Sequence, residues 1–229
     1  MPLPNLFAKP LFHLIYLIDR RKEGATLPPI RRAVKPLEEE KRRAFDHLFD
    51  SARQQGLNTR IHYDLPYPKI DFLNYLCDWR GFVLHGSPLQ NLEELKPIRQ
   101  SKDNNEFGNR QQIFGSPDAI WALWFAILDK SKYKQTRNGC VRVGLGAQRV
   151  KYYHFELPKS NEENYPFTEG MVYVTRAEDF PDKRHYPLLD HFNAEIEEWG
   201  STKTIIPLAR VRVQPEDFPY LNQIQFNLE

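Results

Sequence analysis

The chain has two cysteines, two methionines and 11 glycines in 229 residues, and its net charge is +2. Each shortage excludes something. Cys77 and Cys140 stand far apart and fit no metal-ligand spacing, so they read as reduced, buried, small apolar residues. Without a CxxC or HExxH pattern, a structural zinc is not expected. The balance of 32 basic against 30 acidic residues removes any global pull toward nucleic acid or membrane; a basic patch must be local. The apolar run LFHLIYLI at 11–18 is too short to span a bilayer. It has no basic cluster in front and the charged DRRKEG directly behind, which is not the build of a signal peptide. A GxSxG nucleophile turn and a P-loop are missing, and GLGAQR at 144–149 lacks the full spacing of a dinucleotide fingerprint. The expectation is a soluble, cytoplasmic protein.

What the chain does have is core material. Apolar residues make up 41%, with 15 Phe, 11 Tyr and 4 Trp, enough for a packed domain. The run at 11–18 suits a strand or a short helix, and its pattern does not separate them. Residues 36–56 are the best helix: Pro36 fits a first turn, and Glu38, Glu39 and Glu40 complement the positive helix end. Leu37, Lys41, Ala44, Phe45, Leu48, Phe49 and Ala52 follow the 3.6-residue period. DFLNYLCDW reads as a short helix, GFVLHG as a strand and NLEELKP as one or two helical turns ended by Pro97. Residues 99–112 are polar and without period, a loop long enough to be either functional or disordered. QIFGSPDAIWALWFAILDK runs a strand into a helix, with Ser116 as N-cap, Pro117 at the first helical position and almost no polar face.

After that helix, GCVRVGL, KYYHFEL, GMVYVTR and TIIPLARVRV have strand character. Glu178–Asp179–Phe180–Pro181 and Glu216–Asp217–Phe218–Pro219 repeat one short motif and predict the same turn twice, Phe inward and acids outward. The sum is an α+β protein: a mainly helical N-terminal extension, 1–75, before a mostly antiparallel domain, 76–229, carrying one buried helix.

The order of three stretches points to chemistry. LHGSP ends one strand in His85, Gly86 and Ser87. IFGSPDAIWALWFA ends a second in Phe114 and opens a helix at Ser116. TEGMVYV places Glu169 at the mouth of a third. Over about residues 80–180 this pattern resembles the ADP-ribosyltransferase superfamily, in the branch of the poly-ADP-ribose polymerases and diphtheria-like toxins. The resemblance implies a split antiparallel sheet and NAD as substrate. It implies that His85 holds a ribose hydroxyl, that the Gly86 backbone pairs with the nicotinamide amide, and that Ser87 supports ribose or amide. Phe114 would stack on the nicotinamide ring, with Ser116 beside it. Glu169 would bind the ribose hydroxyl and stabilise charge as ribose becomes oxocarbenium-like. The family usually has Tyr where this chain has Phe114, so a hydroxyl is missing.

By the same resemblance, ADP-ribose passes to an unknown macromolecular acceptor, protein or nucleic acid, and Arg99, Lys102 and Arg110 could pair with the pyrophosphate. Other readings stand beside it. A His-Gly-Ser at a strand end is also an ordinary turn, Phe114 an ordinary core residue, and Glu169 beside Gly170 an ordinary turn residue. A non-catalytic NAD- or ADP-ribose-binding module fits the missing hydroxyl. An RNA 2′-phosphotransferase-like enzyme would draw instead on His154, Arg142 and Arg149.

Overall fold

The computed structural model of the chain describes residues 5–22, 25, 27–98, 106–133, 135–144, 149–159 and 165–228. The first apolar run is helical: α1 (Asn5–Lys22) carries Pro10 within it. Phe12 and Arg20 are buried. Phe12 packs on Tyr152 and Phe192 with ring centroids 5.4 and 5.8 Å away, and Arg20 pairs with buried Glu156. Helix α2 (Glu39–Gln54) buries Phe45, Phe49 and Ala52, the apolar face legible in the sequence. It starts at Glu39 rather than Pro36, with Glu38 extended at its N-cap. Its polar face is laced by ion pairs of Arg42 with Glu39 and Asp46.

Helix α3 (Lys69–Asp78) is the expected short helix, and six of its ten residues are buried. The boundary drawn at 75/76 therefore falls inside a core helix. Two short strands also tie the helical N-terminal part into the sheets. Strand β1 (Ile30–Ala33) lies antiparallel to β6 (Val150–Pro158), and β2 (Thr59–Ile61) lies parallel to β11 (Ala209–Val213).

The remaining strands are β3 (Val83–Ser87), β4 (Ile113–Gly115), β5 (Arg137–Val143), β7 (Gly170–Thr175), β8 (Asp182–Lys183), β9 (Ala194–Ile196), β10 (Trp199–Ser201) and β12 (Gln225–Leu228). They form three sheets: β1-β6-β5-β9 with β12 on β6, β2-β11-β7-β3, and β4-β10-β8. Antiparallel pairs dominate, so the fold is α+β with a split sheet. Helix α4 (Ala119–Ile127) lies at the centre, buried on nearly every side, and Trp124 packs on Phe155, Phe218 and Phe167. A four-residue α5 (Pro187–Asp190) precedes β9.

Two local expectations are corrected. The cap of α4 is Asp118, whose carboxylate accepts from the Trp121 N–H at 2.8 Å; a carboxylate serves this role at least as well as the Ser116 hydroxyl. NLEELKP forms no helix. Leu95 instead bridges Ile205 through hydrogen bonds of 2.8 and 3.0 Å, and its side chain is buried.

The repeated motif makes the same turn twice, as expected. Asp179 accepts from the Arg176 N–H and Asp217 from the Gln214 N–H, while Phe180 and Phe218 are buried. Cys77 and Cys140 are free and buried, and burial pushes both thiols well up. Among the described residues no helix is long and apolar enough to cross a membrane.

Candidate functional site

Strand β3 is the edge of its sheet, and β4 meets it at one point. Leu84 and Ser116 exchange N–H and C=O at 2.8 Å each way. Those groups of Leu84 therefore point away from β7. Alternation along the strand aims the N–H and C=O of Gly86 in the same outward direction, two residues further on. Among the described residues no hydrogen bond outside the sheet ladder reaches Gly86. A donor and an acceptor thus stand side by side where the two strands part.

The same glycine is required from its other face. A Cβ there would lie 1.8 Å from the Ala122 carbonyl oxygen, so α4 crosses directly over it; Gly170 is pressed on Ala126 in the same way, at 1.9 Å. The small residues of α4 and the two glycines are one close-packing device.

His85 is half-buried beside this edge. Its Nδ1 lies 2.7 Å from the Phe114 carbonyl oxygen. A carbonyl only accepts, so Nδ1 carries the proton and Nε2 is the atom left for another partner. Burial lowers the imidazole pKa, and nearby Lys130 adds to this. The ring is therefore neutral, with a free lone pair on Nε2. Phe114 is half-buried. Gly115 turns its missing Cβ toward Val83 and Phe180, so the Phe114 ring points to the opposite face, where Phe107 meets it edge-on at 6.0 Å.

The two serines are already engaged. The Ser87 hydroxyl accepts from the Leu89 N–H at 3.2 Å, and Ser87 is buried. Ser116 donates to the Glu197 carbonyl at 2.6 Å and accepts from the Asp118 N–H at 3.1 Å. Ser116 is a bracket between β4 and the β9–β10 region, and its one hydroxyl proton is already given to the Glu197 carbonyl.

Glu169 lies on the same sheet face as His85, because Tyr173 is the register partner of His85 and residues 169, 171 and 173 share a face. From Gly86, opposite Val172, Glu169 is three residues along, about 10 Å at the usual rise per residue. The carboxylate is held by the Arg212 guanidinium and by Gln214 Nε2, the latter at 3.1 Å. These bonds lower its pKa, so it is a carboxylate at neutral pH. The structure thus joins the His85 ring to the Phe114 carbonyl beside Gly86, turns the Phe114 ring to the face opposite His85, and sets Glu169 on the His85 face at the far end of β7. Of the loop cations, Arg99 and Lys102 lie outside the described residues, and Arg110 pairs with Glu106 at 3.1 Å.

A second constellation escaped the sequence reading. Buried Lys151 lies 2.9 Å from Asp118, 3.3 Å from Asp78 and 3.3 Å from Glu197. Arg32 joins from β1, bonding Asp78 at 3.1 Å and the Tyr153 hydroxyl at 3.1 Å. Burial alone would raise the Asp118 pKa, but Lys151 and Arg32 outweigh it and the carboxyl is lowered.

Arg142 and Arg149 face the same region, paired with Glu195, Glu197 and Asp78. They line a cavity of about 100 Å³ with Lys151 and Trp199, room for a few waters and not for a nucleotide. Each cation there has its carboxylate, so the cluster ties α3, α4, β1 and β6 together. His154 stands apart, bonded to the Tyr16 hydroxyl at 2.6 Å. The donor set proposed for a phosphotransferase is therefore not assembled. Among the described residues no group of three or more His, Cys, Asp or Glu is arranged to hold a metal.

Compared with known proteins, the chain matches no family model, no curated protein and no solved structure.

Proposed function

We propose that the chain binds NAD through its nicotinamide carboxamide at the Gly86 edge and transfers ADP-ribose to a macromolecular acceptor. The observation that carries this reading is the outward N–H and C=O of Gly86 beside a fixed, neutral His85. A primary carboxamide donates and accepts at once, and a strand edge offers the matching pair. Half-buried Phe114 supplies an aromatic ring on the other side of the split from the His85 ring. Nε2 of His85 accepts a ribose hydroxyl.

In the reaction, the bond between ribose C1′ and the nicotinamide nitrogen breaks. Its electron pair leaves with nicotinamide and neutralises the ring. Positive charge develops on the ribose, and the Glu169 carboxylate holds the 2′-hydroxyl while stabilising that charge. An acceptor oxygen or nitrogen then attacks C1′ and loses its proton. The test is nicotinamide release from NAD by the purified chain, with and without Glu169→Gln. Release by the wild type and none by the variant supports transfer. NAD binding without release by either supports the non-catalytic module, the reading favoured by the hold of Arg212 and Gln214 on Glu169. Absence of NAD binding removes both.

A further inference from the structure

On the face of the sheet that carries His85, one row of residues crosses all four strands. Arg60 on β2 is the register partner of Arg210 on β11, Arg210 of Tyr173 on β7, and Tyr173 of His85 on β3. Arg212, two residues past Arg210, shares the face and holds Glu169. The opposite face of β11 is Ala209, Val211 and Val213, all buried. Three arginine side chains therefore rise from one side of two neighbouring strands.

Several arginines of this chain are matched with carboxylate, Arg32 with Asp78, Arg80 with Asp46 and Asp50, Arg142 with Glu197 and Arg184 with Glu198, and Arg53 is satisfied by the Gly56 and Leu208 carbonyls. Arg60 and Arg210 are not so matched. Among the described residues no carboxylate lies within ion-pair distance of either, and the Nε of Arg210 is buried without a hydrogen-bond partner. Like charges directly opposite on paired strands destabilise a sheet, and an unbonded buried donor adds to that. A tetrahedral oxyanion between the two guanidinium groups would relieve both, since arginine's fork matches its geometry.

We propose that Arg60 and Arg210, flanked by Arg212, form a binding site for a phosphate group. Two sources share that chemistry: the pyrophosphate of the nucleotide and a terminal phosphate on a nucleic-acid acceptor. The architecture favours the acceptor. The Tyr173 hydroxyl between the stripe and His85 is roofed by its bonds to the Leu89 carbonyl and the Leu92 N–H. On the other side, Arg212 links the stripe directly to Glu169, where transfer would take place. The acceptor role rests on the transferase reading; the phosphate site itself does not.

The experiment is isothermal titration of the whole chain with inorganic pyrophosphate, NAD, and a short oligonucleotide with and without a 5′-phosphate. It uses wild type, Arg60→Gln, Arg210→Gln and, as a surface control, Arg43→Gln. Melting temperatures check that each variant folds, and Arg210→Lys replaces any that does not. Pyrophosphate binding weakened at least tenfold by the Arg60 and Arg210 changes and unmoved by the control supports the site. Selective loss of the preference for the 5′-phosphorylated strand, with NAD affinity kept, assigns it to the acceptor. Selective loss of NAD affinity assigns it to the nucleotide. Wild-type chain that does not bind pyrophosphate, or variants that bind it as well as wild type, overturn the proposal. Loss of pyrophosphate binding with both other ligands unmoved keeps the phosphate site and overturns both of its named sources. Failure of nicotinamide release with the pyrophosphate result intact would sink the transferase reading alone.

Discussion

The Nδ1–H of His85 donates to the Phe114 carbonyl at 2.7 Å, and this single bond joins two strands that otherwise part after Leu84 and Ser116. It fixes the imidazole tautomer and aims Nε2 at whatever enters the split. Truncating the side chain by His85→Ala should weaken NAD binding at least tenfold by calorimetry. The lost bond is worth about 1 kcal/mol of stability, a fall in melting temperature of roughly 2–4 °C for a chain of this size. Equal NAD affinity in the variant would take His85 out of the site.

The glycines under α4 should tolerate no side chain. Gly86→Ala puts a methyl 1.8 Å from the Ala122 carbonyl oxygen and 2.8 Å from the Ala126 nitrogen, and Gly170→Ala puts one 1.9 Å from the Ala126 oxygen. These are backbone atoms of a buried helix and have no rotamer in which to yield. Each change should destabilise by about 3 kcal/mol or more, read as a lower midpoint in urea. Arg43→Ala on the exposed face of α2 should shift it by a few tenths at most.

Some of this architecture is legible in the sequence for physical reasons. The apolar face of α2, the all-round apolar α4 and the twin Glu-Asp-Phe-Pro turns are local patterns, and local patterns survive folding. Strands β1 and β2 are not legible: they are four and three residues long and exist because β6 and β11, over 100 residues away, provide partners. NLEELKP has the composition of a helix, but Leu95 is claimed by Ile205. Lys151 is unreadable as a buried charge because its carboxylates come from the end of α3, the cap of α4 and the turn before β10. Of the site, His85 and Phe114 could be paired from their order. The hold of Arg212 on Glu169 depends on register, although the alternation Ala-Arg-Val-Arg-Val already puts Arg210 and Arg212 on one face.

The charged interior is open to a direct test. Lys151→Met keeps the volume and removes the cation that three buried or nearly buried carboxylates share. An unpaired buried charge is expensive, and the loss should be about 3–5 kcal/mol. Adding Asp118→Asn removes one of the stranded charges and should recover part of it. A double variant no more stable than the single would mean that the carboxylates do not depend on Lys151.

Stability should fall on mild acidification. Burial, with help from Arg20 and Arg137, holds His154 down to about 3, and His85 is lowered too. The unfolded chain's histidines titrate near ~6.5. Below that value the unfolded state binds protons that the folded state refuses, so the contribution is complete above ~6.5 and is lost as pH falls toward the folded pKa. Per histidine the slope approaches about 1.4 kcal/mol per pH unit. Urea midpoints should therefore drop between pH 7 and pH 5, before carboxylates titrate, and His154→Gln should flatten that drop. An unchanged slope in the variant would show that His154 is free to protonate in the fold.

Phe114 separates the aromatic face from the backbone role of the same residue. Its carbonyl, which His85 uses, survives any side-chain change, so a loss on truncation reports the ring alone. Stacking on an aromatic side chain is worth about 1–3 kcal/mol per base. Phe114→Ala should accordingly weaken NAD roughly 10- to 100-fold while leaving the His85 bond in place. Phe114→Tyr keeps the face and adds a hydroxyl; its affinity should match or exceed wild type. Calorimetry of the three proteins decides between two positions of the nicotinamide. If Phe114→Ala binds as tightly as wild type, the ring merely packs against Phe107, and the nucleotide must find its stacking partner on α4, where half-buried Phe125 is the next aromatic side chain to test.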